Sequence, residues 1–338
     1  MVNPKNSYIC VMQVSLIRQT PVASILLMLM LVVAAFVRFA TAPYGDELLA
    51  GGATLPGMWV DAFHSKYPAW GTVLSAVVVM FVGVGVGRNV TSLGLYQART
   101  TVSIPLYAIL SCGIFIASDS LAVALSSYFV LQMLRYLCGG YVRGTDFNFA
   151  FFAGFYAALA PMFYSPALLF VLLLPVAVLM FGLSWREIVV MIAGLLLPFA
   201  SISYIHWLCG GDFAMPMVAL FENFVSHNGY TLWGSESVVA LTMMGLSLFV
   251  VICAILSFFG DKRTVALRQR TILAFYIVVF VVACAAFALP SATTGVFMLV
   301  ALPASVLMPV VLLRLSDAVS NLVIVLFVVL MILHFFVA

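Results

Sequence analysis

Apolar runs of about twenty residues, broken repeatedly by charge, glycine and proline, set the pattern of the chain from Pro21 onward. Stretches such as Ile25–Phe36, Ala76–Val86, Leu248–Phe259 and Leu322–Val337 carry almost no polar side chain. A bilayer span needs roughly 17–25 such residues. On that length the breaks predict eleven helices, at about 21–40, 71–87, 101–117, 120–138, 147–163, 166–182, 187–207, 237–259, 271–289, 295–313 and 319–337. The narrowest separations, Ser118–Asp119 and Tyr164–Pro166, can equally be read as breaks within re-entrant helices. The expected fold is an all-α, polytopic membrane bundle forming a single transmembrane domain over residues 1–338. Four polar stretches punctuate it: an N-terminal segment at 1–20, outer loops at 41–70 and 208–236, and a basic loop at 260–270.

Composition removes the competing classes. Of 338 residues, 65% are hydrophobic and 7% charged, where a soluble protein carries roughly a quarter charged. So few charges cannot solvate a globular surface, which excludes a soluble enzyme, a nucleic-acid binder and a disordered scaffold. Charge also orients the chain. With a cytoplasmic N-terminus, one side receives Lys5, Arg18, Arg88, Arg99, Arg135, Arg143, Arg186, Lys262, Arg263, Arg268, Arg270 and Arg314, and the other only Arg38 and Lys66. Twelve against two is a strong positive-inside bias that persists along the chain. An odd number of spans then leaves the C-terminus outside. Ala40-Thr41-Ala42 has the form of a signal-peptidase site, but Pro43 follows directly and Arg38 intrudes, so the first span reads as retained. The six cysteines stand singly, without the spacing of a zinc site or a disulfide framework.

The acidic residues show the opposite asymmetry: Asp46, Glu47, Asp61, Asp119, Asp212, Glu222 and Glu236 fall outside, with His64, His206 and His227. Asp146, Glu187, Asp261 and Asp317 fall inside, beside basic residues, as solvated loop charges. Chemistry is therefore expected on the extracytoplasmic face. In the first outer loop Asp46-Glu47 follow the end of a span, and residues 57–67 read as an interfacial helix. Trp59, Phe63 and Tyr67 recur at spacing four on one face, suited to the headgroup region, and Asp61 and His64 share another. Asp46 and Glu47 either hold a reacting group at headgroup depth or cap and solvate a helix end. Arg38 and Lys66, the two outward cations, either anchor the interface or bind a lipid phosphate. The second outer loop gathers Glu222, Asn223, His227, Tyr230 and Trp233, groups that suit a sugar and an ordinary interfacial loop alike.

Three segments together resemble the GT-C superfamily of glycosyltransferases, polytopic enzymes that use polyprenyl-phosphate-linked sugars. A leading span closes at Arg38 and passes through Pro43 into Asp46-Glu47, which is similar to the family's acidic first outer loop. Gly154 to Pro175, with its Pro-Met-Phe-Tyr-Ser-Pro break, resembles the family's paired short helices, though it lacks the Thr-Lys often found there. Trp185-Arg186-Glu187, a span, and then Tyr204 through Gly210-Gly211-Asp212-Phe213 resemble the segment that follows. The resemblance covers roughly residues 20–215.

It implies a sugar transfer at the extracytoplasmic side of a cell membrane, expected to be a bacterial inner membrane, in service of the cell envelope. Asp46, then Glu47, would be the catalytic base, and Arg38 and Lys66 would hold the donor phosphate. Asp61, His64, Glu222 and His227 remain the further substrate-binding candidates. No cofactor is required, although a divalent metal between carboxylate and phosphate fits the chemistry. Partners would be the lipid-linked donor, membrane lipids and a membrane or periplasmic protein, with no nucleic acid. Two alternatives stay open: a non-catalytic GT-C-like scaffold or subunit of an envelope assembly, and a transporter or flippase for a lipid-linked substrate.

Overall fold

The computed structural model describes residues 21–41, 55–96, 100–114, 120–144, 146–226, 237–260 and 266–337. In chain order the helices are α1 (Pro21–Thr41), α2 (Leu55–Lys66), α3 (Pro68–Leu93), α4 (Ser103–Ile114), α5 (Ser120–Arg143) and α6 (Phe147–Phe163). A 3-10 helix (Ser165–Leu172) leads into α7 (Leu173–Phe181). Then come α8 (Trp185–Leu208), α9 (Met215–Val225), α10 (Val238–Gly260), α11 (Leu267–Ala285), α12 (Val296–Leu312) and α13 (Asp317–Val337). No strand occurs among the described residues. Among the described residues six helices are long and apolar enough to cross a membrane: α3, α5, α8, α10, α11 with its 3-10 extension to Ala288, and α13. Of the other apolar helices, α4, α6 and α12 are shorter, and α1 is apolar over Pro21–Val37. Each of the eleven expected stretches contains helix. The Ser118–Asp119 turn and the 1–20 segment lie outside the described residues.

Because these helices are apolar on every face, hydrophobicity alone does not choose which face turns inward. Packing of small residues does. Helices α4 and α12 occupy the centre, and residues 101–113 are buried without exception. Helix α4 packs on α1, α3, α12 and α13, and α12 on α10 and α11 as well. Large apolar side chains such as Leu196, Phe249 and Leu322 remain exposed on the rim, as a lipid-facing surface requires. Helices α6 and α8 approach backbone to backbone. A Cβ on Gly154 would lie 2.0 Å from the Met191 carbonyl oxygen, and one on Gly194 would lie 2.2 Å from that of Phe151. Only two glycines facing each other permit backbones so near.

Buried hydroxyls find carbonyls within the same helix, as Ser75 Oγ donates to Gly71 O at 2.8 Å and Ser111 Oγ to Tyr107 O at 2.7 Å. Others bridge helices: Ser24 and Thr101 share a 2.8 Å contact, and Asn89 Nδ2 donates to Tyr276 Oη at 3.0 Å. His334, in the last helix, is buried with Nδ1 2.9 Å from Ser237 Oγ.

Five details depart from the sequence expectation. Helix α5 continues past 138 to Arg143, and α11 begins at Leu267, so Arg268 and Arg270 lie on a helix instead of the 260–270 loop. The 166–182 stretch is two pieces, 3-10 then α. Pro175 has no N–H to give Val171 O, so an α-helix beginning at Pro166 would be interrupted there. Helix α9 lies within the expected 208–236 loop. Glu187 is buried rather than solvated, accepting from Ser184 N at 2.6 Å and Ser184 Oγ at 2.7 Å as the N-terminal cap of α8. The described cysteines are free thiols, with Cys112 and Cys138 buried but Cys209 exposed at the end of α8.

Candidate functional site

The described sequence candidates Asp61, His64, Lys66 and Glu222 lie on α2 and α9, two helices at the end of the bundle where α3 begins and α6 stops. Proline ends α2: Tyr67 turns away at φ −133°, and Pro68 opens α3. Helix α2 lies against α3, α5 and α6, presenting Met58, Trp59 and Phe63 outward, with exposed Tyr67 following. The Phe63 and Tyr67 rings stand 5.7 Å apart, and Lys66 Nζ lies 5.4 Å from the Tyr67 ring centre. The expected aromatic face is thus bare, at the spacing an interfacial helix needs.

The polar side of α2 divides. Asp61 is half-buried and Lys66 exposed. His64, by contrast, turns inward to 5% exposure and packs against Gly71 of α3 so closely that a Cβ there would sit 2.6 Å from Nδ1. Among the described residues neither ring nitrogen has a hydrogen-bond partner, and burial pushes the imidazole pKa below its ordinary 6.5. A desolvated, unpartnered imidazole is held neutral.

Where α6 ends, Tyr164 adopts an extended conformation (φ −145°, ψ 109°) and the 3-10 helix begins at Ser165. Ser126 Oγ donates to Ala160 O at 3.0 Å, and Tyr164 Oη lies 2.8 Å from Thr293 Oγ1. The break is therefore tied both to α5 and to the connection before α12. Sequence reasoning missed the Tyr164–Thr293 pair, because 129 residues separate the partners.

Helix α9 packs on α8 and on the 3-10 helix. Before it, Gly210 takes a positive φ of 86°, and His206 Nδ1 lies 2.9 Å from Asp212 O. These contacts fold the Gly-Gly-Asp-Phe turn back on the end of α8. Pro216 and Leu220 face inward, while Val218, Phe221 and Glu222 are exposed. Glu222 is thus offered to the surface.

Arg38 lies in the last turn of α1, and its side chain is outside the described residues, as are Asp46, Glu47 and His227 in full. Asp61, His64 and Lys66 share one helix, and Glu222 stands on a second beside the same α6 break. Among the described residues no group of three or more His, Cys, Asp or Glu side chains gathers as a metal site. No family model matches the chain, and neither a curated protein nor a solved structure matches it.

Proposed function

We propose that the chain is an eleven-span, GT-C-like glycosyltransferase of a bacterial inner membrane, with its N-terminus in the cytoplasm and its C-terminus outside. It transfers a sugar from a polyprenyl-phosphate donor to an acceptor at the extracytoplasmic face. The observation that supports this reading is the construction of one end of the bundle. Helix α6 stops at an extended Tyr164, a 3-10 helix follows, and α2 and α9 lie against the elements that meet there. A bare aromatic face beside a polar break offers a surface at headgroup depth, where a lipid-linked sugar presents its reacting carbon.

Chemistry assigns the roles. Asp46, with Glu47 next in order, takes the proton of the acceptor hydroxyl as its oxygen attacks the anomeric carbon. The bond from that carbon to the phosphate oxygen breaks, polyprenyl phosphate departs, and the anomeric configuration inverts. Arg38 and Lys66 balance the charge growing on the leaving phosphate. Lys66 is exposed beside the Tyr67 ring, within reach of a headgroup.

Lipid mass spectrometry on cells carrying the wild type, a deletion, or Asp46→Asn with Glu47→Gln tests this. The expected result is accumulation of one polyprenyl-phosphate sugar in the deletion and in the double variant at normal protein level. General-base loss typically costs about a hundredfold to ten-thousandfold in rate, ample to expose the donor. Unchanged lipids, with the double variant still complementing the deletion, would overturn catalysis by this loop and leave the scaffold reading.

A further inference from the structure

At the far end of α3 from α2, a cavity of about 350 Å³ opens between the ends of α3 and α5 and the start of α6. Arg88 lies twenty residues along α3 from Pro68, about 30 Å at helical rise, which is the thickness of a bilayer's hydrocarbon core. Three arginines line the cavity, Arg88, Arg135 and Arg143, and none of its lining residues is acidic. No carboxylate pairs with any of the three among the described residues. Arginine keeps its charge at any accessible pH, so three guanidiniums around one cavity repel one another until an anion or water intervenes.

Two further observations point to a ligand. Asn89, 2% exposed, also lines the cavity, and its amide has one met and one unmet partner: Nδ2 donates to Tyr276, and Oδ1 is bare. The reversed amide would accept from the Tyr276 hydroxyl and free two N–H donors for an anion. Phe149, at the start of α6, lies against Gly139 and Gly140 and carries the Arg143 guanidinium 5.8 Å from its ring centre. That stacking holds one arginine at the cavity wall.

From the cavity an unbroken chain of half-buried rings runs along α5 and α6. Tyr136 meets Phe149 at 6.0 Å and stacks on Tyr156 at 5.6 Å; Phe129 then stacks on Tyr156 at 6.1 Å and reaches Phe163 at 5.2 Å. The fourteen helical steps from Phe149 to Phe163 span about 21 Å, more than one leaflet of apolar depth. A free phosphate has no use for such a track, whereas a lipid tail does.

We infer that this cavity binds the terminal phosphate of a lipid, with the tail laid along the α5–α6 rings. Three cations match a dianionic phosphate monoester better than a phosphodiester. The site lies on the side that positive-inside orientation assigns to the cytoplasm, where basic pockets between helices take anionic headgroups. It is separate from the proposed sugar-transfer end and stands whether or not that reading does.

The test uses the full-length protein in non-ionic detergent, with native mass spectrometry and thermal unfolding. Dioleoyl phosphatidic acid serves as probe, against dioleoyl phosphatidylcholine, glycerol phosphate and inorganic phosphate. Wild type is expected to retain phosphatidic acid selectively and to melt higher with it. Arg135→Gln or Arg143→Gln should weaken that binding about tenfold to a hundredfold, the loss of one charge-assisted contact, while Arg186→Gln leaves it unchanged. Phe129→Ala with Tyr156→Ala, two track residues outside the cavity lining, should weaken phosphatidic acid but not glycerol phosphate. Equal retention of phosphatidylcholine, or equal loss in Arg186→Gln, would overturn the site. Inorganic phosphate binding as tightly as the lipid would overturn the lipid assignment.

Discussion

Helix α3 joins two ends that handle an ionisable group in opposite ways. Near its start His64 is packed against Gly71, without a partner on either nitrogen. Near its finish Arg88 faces a cavity shared with two other arginines. Imidazole can shed its proton and be buried as a neutral ring, so the packing there closes tightly. Guanidinium has no neutral form to retreat to, so the far end must stay open to water or to an anion. That single chemical difference accounts for the close packing of His64 at one end and the arginine-lined cavity at the other. The comparison also implies that His64 itself is placed for fit and the arginine cavity for exchange.

The largest expected effect removes both ends together. Gly154→Leu would drive a side chain into the Met191 carbonyl across the α6–α8 contact. Overpacking ordinarily costs about 1–3 kcal/mol, and here the obstacle is backbone, which cannot rotate away, so about 3 kcal/mol or more is expected. Thermal unfolding in detergent, with protease sensitivity as a second readout, would register a global loss. A wild-type melt for Gly154→Leu would contradict the tight α6–α8 approach and, with it, the frame that holds the α6 break in place.

Smaller, and confined to the α2 end, is Gly71→Ala. The new Cβ would meet His64 at Nδ1, near the root of the ring, so rotation gives little relief. A cost of about 1–3 kcal/mol follows, and His64→Ala should restore most of it. A double-mutant cycle measures the coupling. Additive penalties would show that the two residues do not touch.

How much of this was legible in the sequence differs between the fold and the site. The 147–163 stretch coincides with α6, because Asp146 caps its start and Pro161 and Pro166 bracket its end. The run ending near 138 stopped short of Arg143, since a span was judged by apolar content while helical hydrogen bonding continues into the polar end. Helix α9 was hidden because its apolar run, 215–221, is short and is followed at once by Glu222-Asn223 inside a polar-looking loop. The inward turn of His64 depends on a glycine in the next helix, and periodicity within α2 does not reveal it. Arg88, Arg135 and Arg143 were each counted as positive-inside charge, but their convergence needs α3 and α5 side by side. Asp46, Glu47, His227 and the Arg38 side chain lie outside the described residues, so the carboxylate base stands on the sequence reading.

At the arginine end a substitution should act oppositely to Gly154→Leu. Without added lipid, Arg135→Gln removes one of three like charges around the cavity and breaks no ion pair. Its stability is expected to equal or slightly exceed wild type, within about 1 kcal/mol. With phosphatidic acid present the order should reverse, because only the wild type gains fully from the ligand. A marked loss of stability in the lipid-free variant would show that Arg135 is structural.

The finest distinction is in pH. Burial lowers the His64 pKa from 6.5 in the folded chain, while unfolding returns it to the ordinary value. Between those two values the unfolded chain holds a proton that the folded chain lacks, so unfolding is favoured by acid. The His64 contribution is therefore complete above about pH 6.5, declines as pH falls towards the lowered folded value, and levels off below it. His64→Phe keeps an aromatic ring against Gly71 without a titrating nitrogen and should lack that decline. Melting temperatures of wild type and variant, taken from pH 8 down to pH 5, would diverge only on the acid side. The other three histidines are common to both proteins, so any effect of theirs cancels in the difference. Parallel curves would mean that protonated His64 is accommodated as readily as the neutral ring, and the contrast with the arginine end would fail at its near side.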